Sequence, residues 1–151
     1  MPTTAQPRWL SAEQQGIWRS YLNAVARINE RLDAELRPFG LDLGEYEILV
    51  HLSEAPDLQL RMSELATAVR QSRSRLTHTV TRMEHKGLIL RKTCPQDRRG
   101  VIAVLTGAGL TLLTEAAPNH VRSVREAFVD KVDPDDFVAL GRAMNAVLVP
   151  D

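Results

Sequence analysis

Basic side chains are concentrated in the middle of the chain, between residues 70 and 99. This segment holds nine Lys or Arg residues and two acidic residues, which gives it a formal charge of +7, although the whole chain of 151 residues is neutral. Cationic side chains at this density attract phosphates and other anions. The segment therefore predicts a localised surface for a polyanion, and the alternative is a charged face that contacts only water.

The first half of this basic segment has apolar residues at helical spacing. Leu76, Val80 and Met83 are four and three residues apart, so they form one anchoring stripe. Ser74 and His78 lie roughly opposite that stripe on a helical wheel, with arginines beside them. This pattern is typical of a helix in the major groove of DNA, where arginine binds guanine O6 and N7 and where serine or histidine reaches other base edges.

The second half of the basic segment predicts a β-hairpin. Leu88–Thr93 and Val101–Leu105 are rich in β-favouring residues, and the turn-forming residues 94–100 separate them. Arg98 and Arg99 fall at the tip of this hairpin. A thin loop that carries arginine suits the narrow minor groove of DNA, where the negative potential attracts guanidinium groups.

The elements that must position these residues are mainly helices. A short helix that Ser63 can cap precedes the basic helix, and the two form a helix-turn-helix. Ser11 with Gln14, and Asp42 with Glu45, are capping boxes that begin two earlier helices. The sequence therefore predicts a mostly α fold with a small β-hairpin wing, which is a winged helix-turn-helix with a helical dimerisation region from both termini.

Two helices follow the hairpin. Thr106 caps a helix that we expect to reach about Asp130, and Pro118 should kink or break it. Asp133 as N-cap and Pro134 as first residue begin the last helix. The first helix has two apolar stripes, which together with the last helix exceed what one small winged domain covers, so we expect a homodimer. The expected buried faces include Ile17, Tyr21 and Leu32 in the first helix, Leu110, Leu113 and Val121 in the fifth, and Phe137, Leu140, Met144, Val147 and Leu148 in the last.

The sequence of the predicted winged region resembles the multiple antibiotic resistance regulator (MarR) family of winged-helix repressors. The most specific part of the resemblance is Asp97-Arg98-Arg99, followed by a strand and by Leu-Thr-x-x-Gly. The order of helices and strands matches the family over essentially the whole chain. The remaining stretches that carry the resemblance are Ser63–Ala66, Ser72–Thr77, Arg82–Leu88, Pro95–Gly100 and Val104–Gly109.

The resemblance implies one domain, 1–151, that regulates transcription, usually as a repressor, at a pseudo-palindromic operator. Helices from 11–37 and 107–148 would interlock with those of a second copy, and 42–105 would form the winged helix-turn-helix on double-stranded DNA. The wing arginines would enter the minor groove, and Asp97 would orient one of them. The residues that we expect at the DNA interface are Ser72, Arg73, Ser74, Arg75, Thr77, His78, Arg82, Asp97, Arg98 and Arg99.

Aromatic side chains of the first two helices predict a small-molecule site. Trp18, Tyr21, Tyr46 and His51 could line a pocket between the dimer helices and the winged domain, and Arg27 could pair with a carboxylate. A small aromatic acid as effector also follows from the resemblance, because family members respond to phenolic or aromatic acids, or to oxidants. The alternative is that these five residues make ordinary core and interface contacts.

Motifs for other kinds of chemistry are not visible in the sequence. No Gly-rich phosphate loop, metal triad or nucleophile–base pair is present, so we expect no enzyme, no metal site and no cofactor. Cys94 lies near the basic residues Arg91 and Lys92, which are surroundings that favour a redox sensor. The family's peroxide-sensing branch instead uses a cysteine in the first helix, where this chain has none. Two alternative functions therefore stay open: a redox-responsive regulator that acts through Cys94, and a winged-helix module that binds protein.

The composition favours a cytoplasmic protein without a membrane partner. Hydrophobic residues make up 44% and charged residues 25% of the chain, which is ordinary for a globular domain. A single cysteine suits a reducing compartment. No apolar run approaches the ~20 residues of a membrane helix. Residues 1–10 predict a loose arm, and their first eight lack the apolar stretch of a signal peptide.

Overall fold

A computed structural model describes residues 5–151, so that the first four residues of the predicted arm and of the domain range 1–151 lie outside the described residues. The fold is mostly helical with a small antiparallel sheet, as predicted. Three short 3-10 segments connect the main elements. These elements are, in chain order, α1 Ala12–Leu36, α2 Leu43–Glu54, β1 Gln59–Arg61, α3 Met62–Ala68, α4 Arg73–His85, β2 Ile89–Cys94, β3 Asp97–Leu105, α5 Gly107–Ala127 and α6 Pro134–Leu148.

The sheet has three strands in the order β1-β3-β2. The predicted hairpin is formed by β2 and β3, with Ile89 opposite Leu105 and Lys92 opposite Ile102. A register shift at Thr93 and Cys94 ends the regular ladder before the turn. The strand β1 is a third strand that pairs with β3, and it was not predicted because three residues are too few for an alternating pattern.

Side-chain caps fix where most of the helices begin. The two predicted capping boxes are both present: Gln14 N–H donates to Ser11 Oγ at 3.1 Å and Glu45 N–H donates to Asp42 Oδ1 at 2.7 Å. The expectation that Ser63 caps α3 is wrong. That helix already begins at Met62, and the Glu64 carboxylate accepts the Arg61 backbone N–H at 3.4 Å.

The helix α5 runs through Pro118 without a break, contrary to the stronger form of the prediction. Proline removes one hydrogen bond of the helix ladder, but packing holds the turns on both sides of it. Ala116 is fully buried, and the Asn119 side chain donates to the carbonyl of Glu35 on α1 at 3.2 Å. The helix ends at Ala127, and a 3-10 turn covers the rest of the predicted span.

The hydrophobic core lies inside the winged region, between α2, α3, α4 and the sheet, with α5 on one side. Leu49, Leu65 and Val80 are completely buried there. The buried faces predicted for the outer helices are largely exposed in a single chain. The prediction that these faces pack into the core of their own chain is therefore wrong. On α1 the first buried residue is Leu32, and α6 has no buried residue along Pro134–Leu148. Predicted core residues left exposed are Ile17, Tyr21, Leu110, Val121, Val147 and Leu148.

Within residues 5–151, no helix is long and apolar enough to cross a membrane.

Candidate nucleic-acid interface

The helix α4 is anchored on one face and open on the other. Leu76, Val80 and Met83 are buried against the core, as the spacing predicts. Ser72 is the N-cap, and its Oγ accepts the Arg75 backbone N–H at 3.2 Å. The predicted interface residues that stay exposed on this helix are Arg73, Ser74, Arg75, Thr77, His78 and Arg82.

Threonine hydroxyls of α4 are tied to the helix backbone. Thr77 Oγ1 donates to the Arg73 carbonyl and Thr81 Oγ1 to the Thr77 carbonyl, both at 2.8 Å. Each hydroxyl keeps its acceptor capacity for another group. Arg91 uses this capacity at Thr81, where its Nη2 donates to Oγ1 at 3.1 Å.

The wing presents its two arginines to solvent at the start of β3. Asp97 Oδ1 accepts the backbone N–H of Arg99 at 3.0 Å, so the carboxylate fixes the backbone on which that side chain stands. The guanidinium that lies near the Asp97 carboxylate is that of Arg61, with Nη1 at 4.0 Å from Oδ2. Asp97 thus accepts a hydrogen bond from the backbone of a wing arginine, and its carboxylate charge is close to the guanidinium of Arg61.

A cleft separates α4 from the wing. It encloses about 200 Å³, and the guanidinium-bearing residues Arg61, Arg73, Arg91 and Arg99 line it together with Ser63 and Thr77. The geometry therefore brings two predicted residues of the helix, Arg73 and Thr77, and one of the wing, Arg99, to a single cationic cleft. Arg61 and Arg91 were missed by the sequence analysis, in which Arg91 was only a neighbour of the cysteine.

Arg91 is held in place by Glu84 of α4. Its Nη2 donates to Glu84 Oε1 at 3.0 Å, and its Nε and backbone N–H donate to Oε2 at 3.4 and 3.1 Å. The hydrogen bonds from Arg91 lower the pKa of the Glu84 carboxyl below its usual value. Glu84 and Arg91 are seven residues apart and are separated by the turn at Gly87. The periodic patterns of helices and strands apply within one element, so they do not predict a contact between these two residues.

A second, wider groove runs along the other side of α4. Its walls carry acidic residues of α1 and α2 and basic residues of α4. Arg82 Nη2 lies 3.5 Å from Asp42 Oδ2 across this groove, so this predicted DNA contact has an intramolecular partner in the free protein. Both side chains are about half exposed, and such a pair contributes little to stability.

The five predicted effector residues do not share one pocket within a chain. Tyr46 and His51 line a cavity of about 300 Å³ between α1, α2 and α5. Arg27 lines a different cavity, of about 390 Å³, beside Phe128. Asn29 lines the first cavity, and it lies about 200° around α1 from Arg27 because the two residues are two positions apart. The Arg27 side chain therefore points away from the first cavity. Trp18 and Tyr21 stack on each other at 5.8 Å on the exposed half of α1.

His120 completes the cavity around Tyr46 and was not found from the sequence. Its ring centroid lies 4.2 Å from that of Tyr46. Burial lowers the pKa of His120, while nearby Glu47 partly opposes this shift, and burial raises the pKa of Tyr46. Among the described residues, His120 Nδ1 is a buried atom without a hydrogen-bond partner. The cavity is thus lined by the side chains of Tyr46 and His120, and the His120 ring has one buried nitrogen without a partner.

Cys94 is buried at the base of the wing. Its basic neighbour is Arg61, whose Nη2 donates to Sγ at 3.3 Å, and not Arg91, whose guanidinium binds Glu84. Only 4% of Cys94 is exposed, which keeps oxidants away from the thiol. No group of three His, Cys, Asp or Glu residues within the part of the chain that the structure describes could hold a metal ion.

Comparison with known proteins connects this fold and interface to one family. The sequence profile of the MarR family matches residues 41–101, which span α2 to the middle of the second wing strand. The chain is 27% identical to the HTH-type transcriptional regulator MhqR of Bacillus subtilis (strain 168) over 106 residues, which are 68% of this chain and 70% of the relative.

Two solved structures from Streptomyces coelicolor are more similar to it. The MarR family transcriptional regulator AbsC is 45% identical with a TM-score of 0.88, over 94% of this chain and 96% of AbsC. The regulator Sco3205, solved in complex with DNA, is 42% identical with a TM-score of 0.90, over 95% of this chain and 91% of that one. Identity at this level over nearly the full length of both chains establishes kinship. The chain belongs to the MarR family of transcriptional regulators.

Proposed function

We propose that this regulator binds double-stranded DNA as a homodimer and represses transcription from a pseudo-palindromic operator. The observation that carries the proposal is the exposed face of α4 beside the wing. Arg73 and Thr77 of α4 share one cationic cleft with Arg99 of the wing, and the groove on the other side of α4 is lined by Ser74, Arg75, His78 and Arg82. The similar regulator Sco3205, which was solved with DNA, supports it. A regulatory rather than catalytic role in the cytoplasm follows from this proposal.

The two parts of the interface read different grooves. The helix α4 enters the major groove, where Arg75 and His78 contact base edges and Ser72, Arg73 and Thr77 contact the backbone. The wing enters the minor groove with Arg98 and Arg99. Ser74, Arg82 and Asp97 complete the set, the last by holding the Arg99 backbone.

The outer helices supply the dimer contacts. The exposed apolar residues of α1 and α6 include Ile17, which is 65% exposed, and Val147, which is 77% exposed. A soluble monomer rarely leaves so many apolar side chains in water, and a second copy would cover them. We therefore assign 11–37 and 107–148 to dimerisation and 42–105 to DNA binding, within one domain.

A small aromatic acid is the effector that we propose. It would bind in the cavity of Tyr46, His51 and His120, where aromatic side chains offer stacking and the histidines offer a polar contact. Trp18 and Tyr21 of α1 would reach a ligand only from the partner copy, and Arg27 lines a separate cavity. The acid would stabilise a spacing of the two winged regions that does not fit the operator.

The test of DNA binding is the affinity for the DNA upstream of the gene itself, measured by gel shift or fluorescence anisotropy at several salt concentrations. Neutralising ~6–10 phosphates per dimer gives a slope of log affinity against log salt of about −5 to −9. A scrambled duplex of equal length is the control for sequence preference. A flat salt response would contradict the proposal and favour a winged-helix module that binds protein.

A further inference from the structure

The contact between Glu84 and Arg91 joins the two halves of the DNA interface. Glu84 belongs to the last turn of α4, and Arg91 belongs to β2, the first strand of the wing. Both carboxylate oxygens are used, and the Arg91 guanidinium reaches Thr81 one turn earlier on the same helix. We call the trio of Thr81, Glu84 and Arg91 the wing clasp.

Several hydrogen bonds hold the two charged side chains of the wing clasp in one relative orientation. The Arg91 side chain is 27% exposed, which is less than for the arginines of the pairs formed by Arg37, Arg70 and Arg82. A fork of parallel N–H donors on one carboxylate fixes direction as well as distance. The backbone N–H of Arg91 adds a bond that places the strand itself against the helix.

The position of the clasp gives it a consequence for binding. Arg91 lines the same cleft as Arg73 of α4 and Arg99 of the wing. The separation of these two side chains therefore depends on how the wing is held against the helix. A helix in the major groove and a wing in the minor groove engage together only if that separation matches the DNA.

We propose that Glu84 and Arg91 are positioning residues that set the wing at the distance from α4 required for simultaneous contact with both grooves. This inference rests on the proposed DNA binding. Arg91 acts through Glu84 and does not serve as an independent phosphate ligand. Its guanidinium keeps the carboxylate neutralised at a surface that meets DNA.

For Glu84→Gln, the loss of charge and the loss of positioning predict opposite changes in DNA affinity. Glu84→Gln removes a negative charge beside a polyanion, so that charge alone would raise DNA affinity. The clasp predicts a lower affinity, because glutamine cannot accept the guanidinium fork with two anionic oxygens. Arg91→Lys also distinguishes charge from positioning. Lysine keeps the positive charge but lacks the pair of parallel N–H donors, so positioning alone predicts weaker binding.

The experiment measures operator affinity of the wild-type protein and of Glu84→Gln, Arg91→Lys and the double variant, each with its folding checked by circular dichroism. We expect each single variant to bind roughly fivefold to tenfold more weakly, which is the low end of what the loss of one base contact costs, and the double variant to bind no more weakly than either. The control is Glu64→Gln on α3, which removes an acid in the same helix-turn-helix while glutamine keeps the cap on Arg61. This control should bind as tightly as the wild type or more tightly.

A second readout follows the wing without DNA. A nitroxide label at Gln96→Cys, in a Cys94→Ser background, reports the mobility of the exposed turn, and Glu84→Gln should increase that mobility. Equal or tighter operator binding by Glu84→Gln, or an unchanged label spectrum, would overturn the wing clasp. If the wild-type protein binds no operator, the proposed function fails, and the label still tests the clasp alone.

Discussion

Arginine side chains at the proposed interface fall into two groups that differ in what they contact. Arg75, Arg98 and Arg99 are exposed, and no carboxylate of the described residues lies within ion-pair distance of them. Arg61 and Arg91 are instead engaged by groups of the protein. Free guanidiniums are available to DNA without breaking an existing contact, whereas engaged ones would have to exchange partners.

This division predicts the result of single substitutions in the first group. Arg98→Ala and Arg99→Ala should weaken operator binding without unfolding the protein, because both side chains are exposed and neither is part of the core. Arg75→Ala and His78→Ala should also change base preference, at roughly 1–3 kcal/mol per lost base contact. Binding to a set of operators with single base changes measures both effects. Arg142→Ala, an exposed arginine on α6, is the control, and equal binding by all four variants would locate the recognition surface elsewhere.

Burial of His120 makes the stability of the protein depend on pH. Its pKa in the folded state is below the model-peptide value of 6.5, so the unfolded chain takes up a proton before the folded one. The stability that His120 contributes is present above pH 6.5 and is lost as the pH falls through the folded-state pKa. Urea unfolding at pH 7.5 and 5.5 should show this loss in the wild type and a smaller one in His120→Phe, which keeps a ring against Tyr46. An equal loss in both would assign the pH dependence to other groups.

At the scale of elements, the junction of the wing with α5 is the tightest contact at a glycine. A Cβ built on Gly109 would collide with the Leu88 carbonyl oxygen and lie 2.7 Å from Leu105 Cδ1. Gly109→Ala should therefore lower the free energy of unfolding by about 1–3 kcal/mol, as overpacking does. Gly107→Ala on the same helix is the matched control, because no atom lies within 4 Å of its added methyl group. Thermal or urea unfolding of both variants would contradict this reading if their stabilities were equal.

Local signals made most elements predictable. The caps Ser11, Asp42 and Asp133 act within three residues, so the sequence alone locates the helix starts. The stripe of α4 was predictable for the same reason. Contacts between distant residues were not: β1 exists because Gln59 pairs with Val104, and the Tyr46 ring meets His120 through the packing of α5 on α2. The wing clasp was missed because its partners lie on a helix and a strand, across a turn.

The whole molecule separates its charge and its apolar surface. The basic segment between residues 70 and 99 serves the winged region, while the remaining chain carries a net negative charge that balances it. Exposed apolar residues are concentrated on α1 and α6, with fewer on α5 and on the wing. A neutral total thus hides a cationic face at one region and an apolar one at another, which is the distribution that a DNA-binding dimer requires.

This distribution predicts a tight homodimer. Sedimentation at micromolar concentration should give twice the chain mass of 16.9 kDa, and removal of residues 1–37 should make the protein insoluble by exposing the faces that α1 covers. Val147→Asp should weaken the dimer because it places a charge on an apolar contact. Asn145→Asp, an exposed polar position on the same helix, is the control. A monomer at micromolar concentration would refute the assignment of the outer helices.

The last prediction concerns how a ligand at the cavity of Tyr46 would act on DNA binding. The two winged regions of a dimer share one helical scaffold, so an acid wedged between α1, α2 and α5 changes the distance between the α4 helices. A mismatch of a few ångströms with the half-site repeat of ~34 Å prevents both helices from seating. The ligand must bind the mismatched spacing more tightly, and a tenfold loss of DNA affinity requires roughly 1.4 kcal/mol of coupling.

Titration of aromatic acids against tryptophan fluorescence and operator binding together tests this coupling, and the expected result is a fluorescence change that tracks the loss of DNA binding. Trp18→Ala separates the signal of α1 from that of the exposed Trp9. Tyr46→Leu should abolish the response to the acid while leaving operator binding intact, because Tyr46 lies in the cavity and away from the exposed face of α4. A fluorescence change with unaltered operator affinity would show that the cavity binds the acid without switching the protein. A response that survives Tyr46→Leu would locate the effector elsewhere.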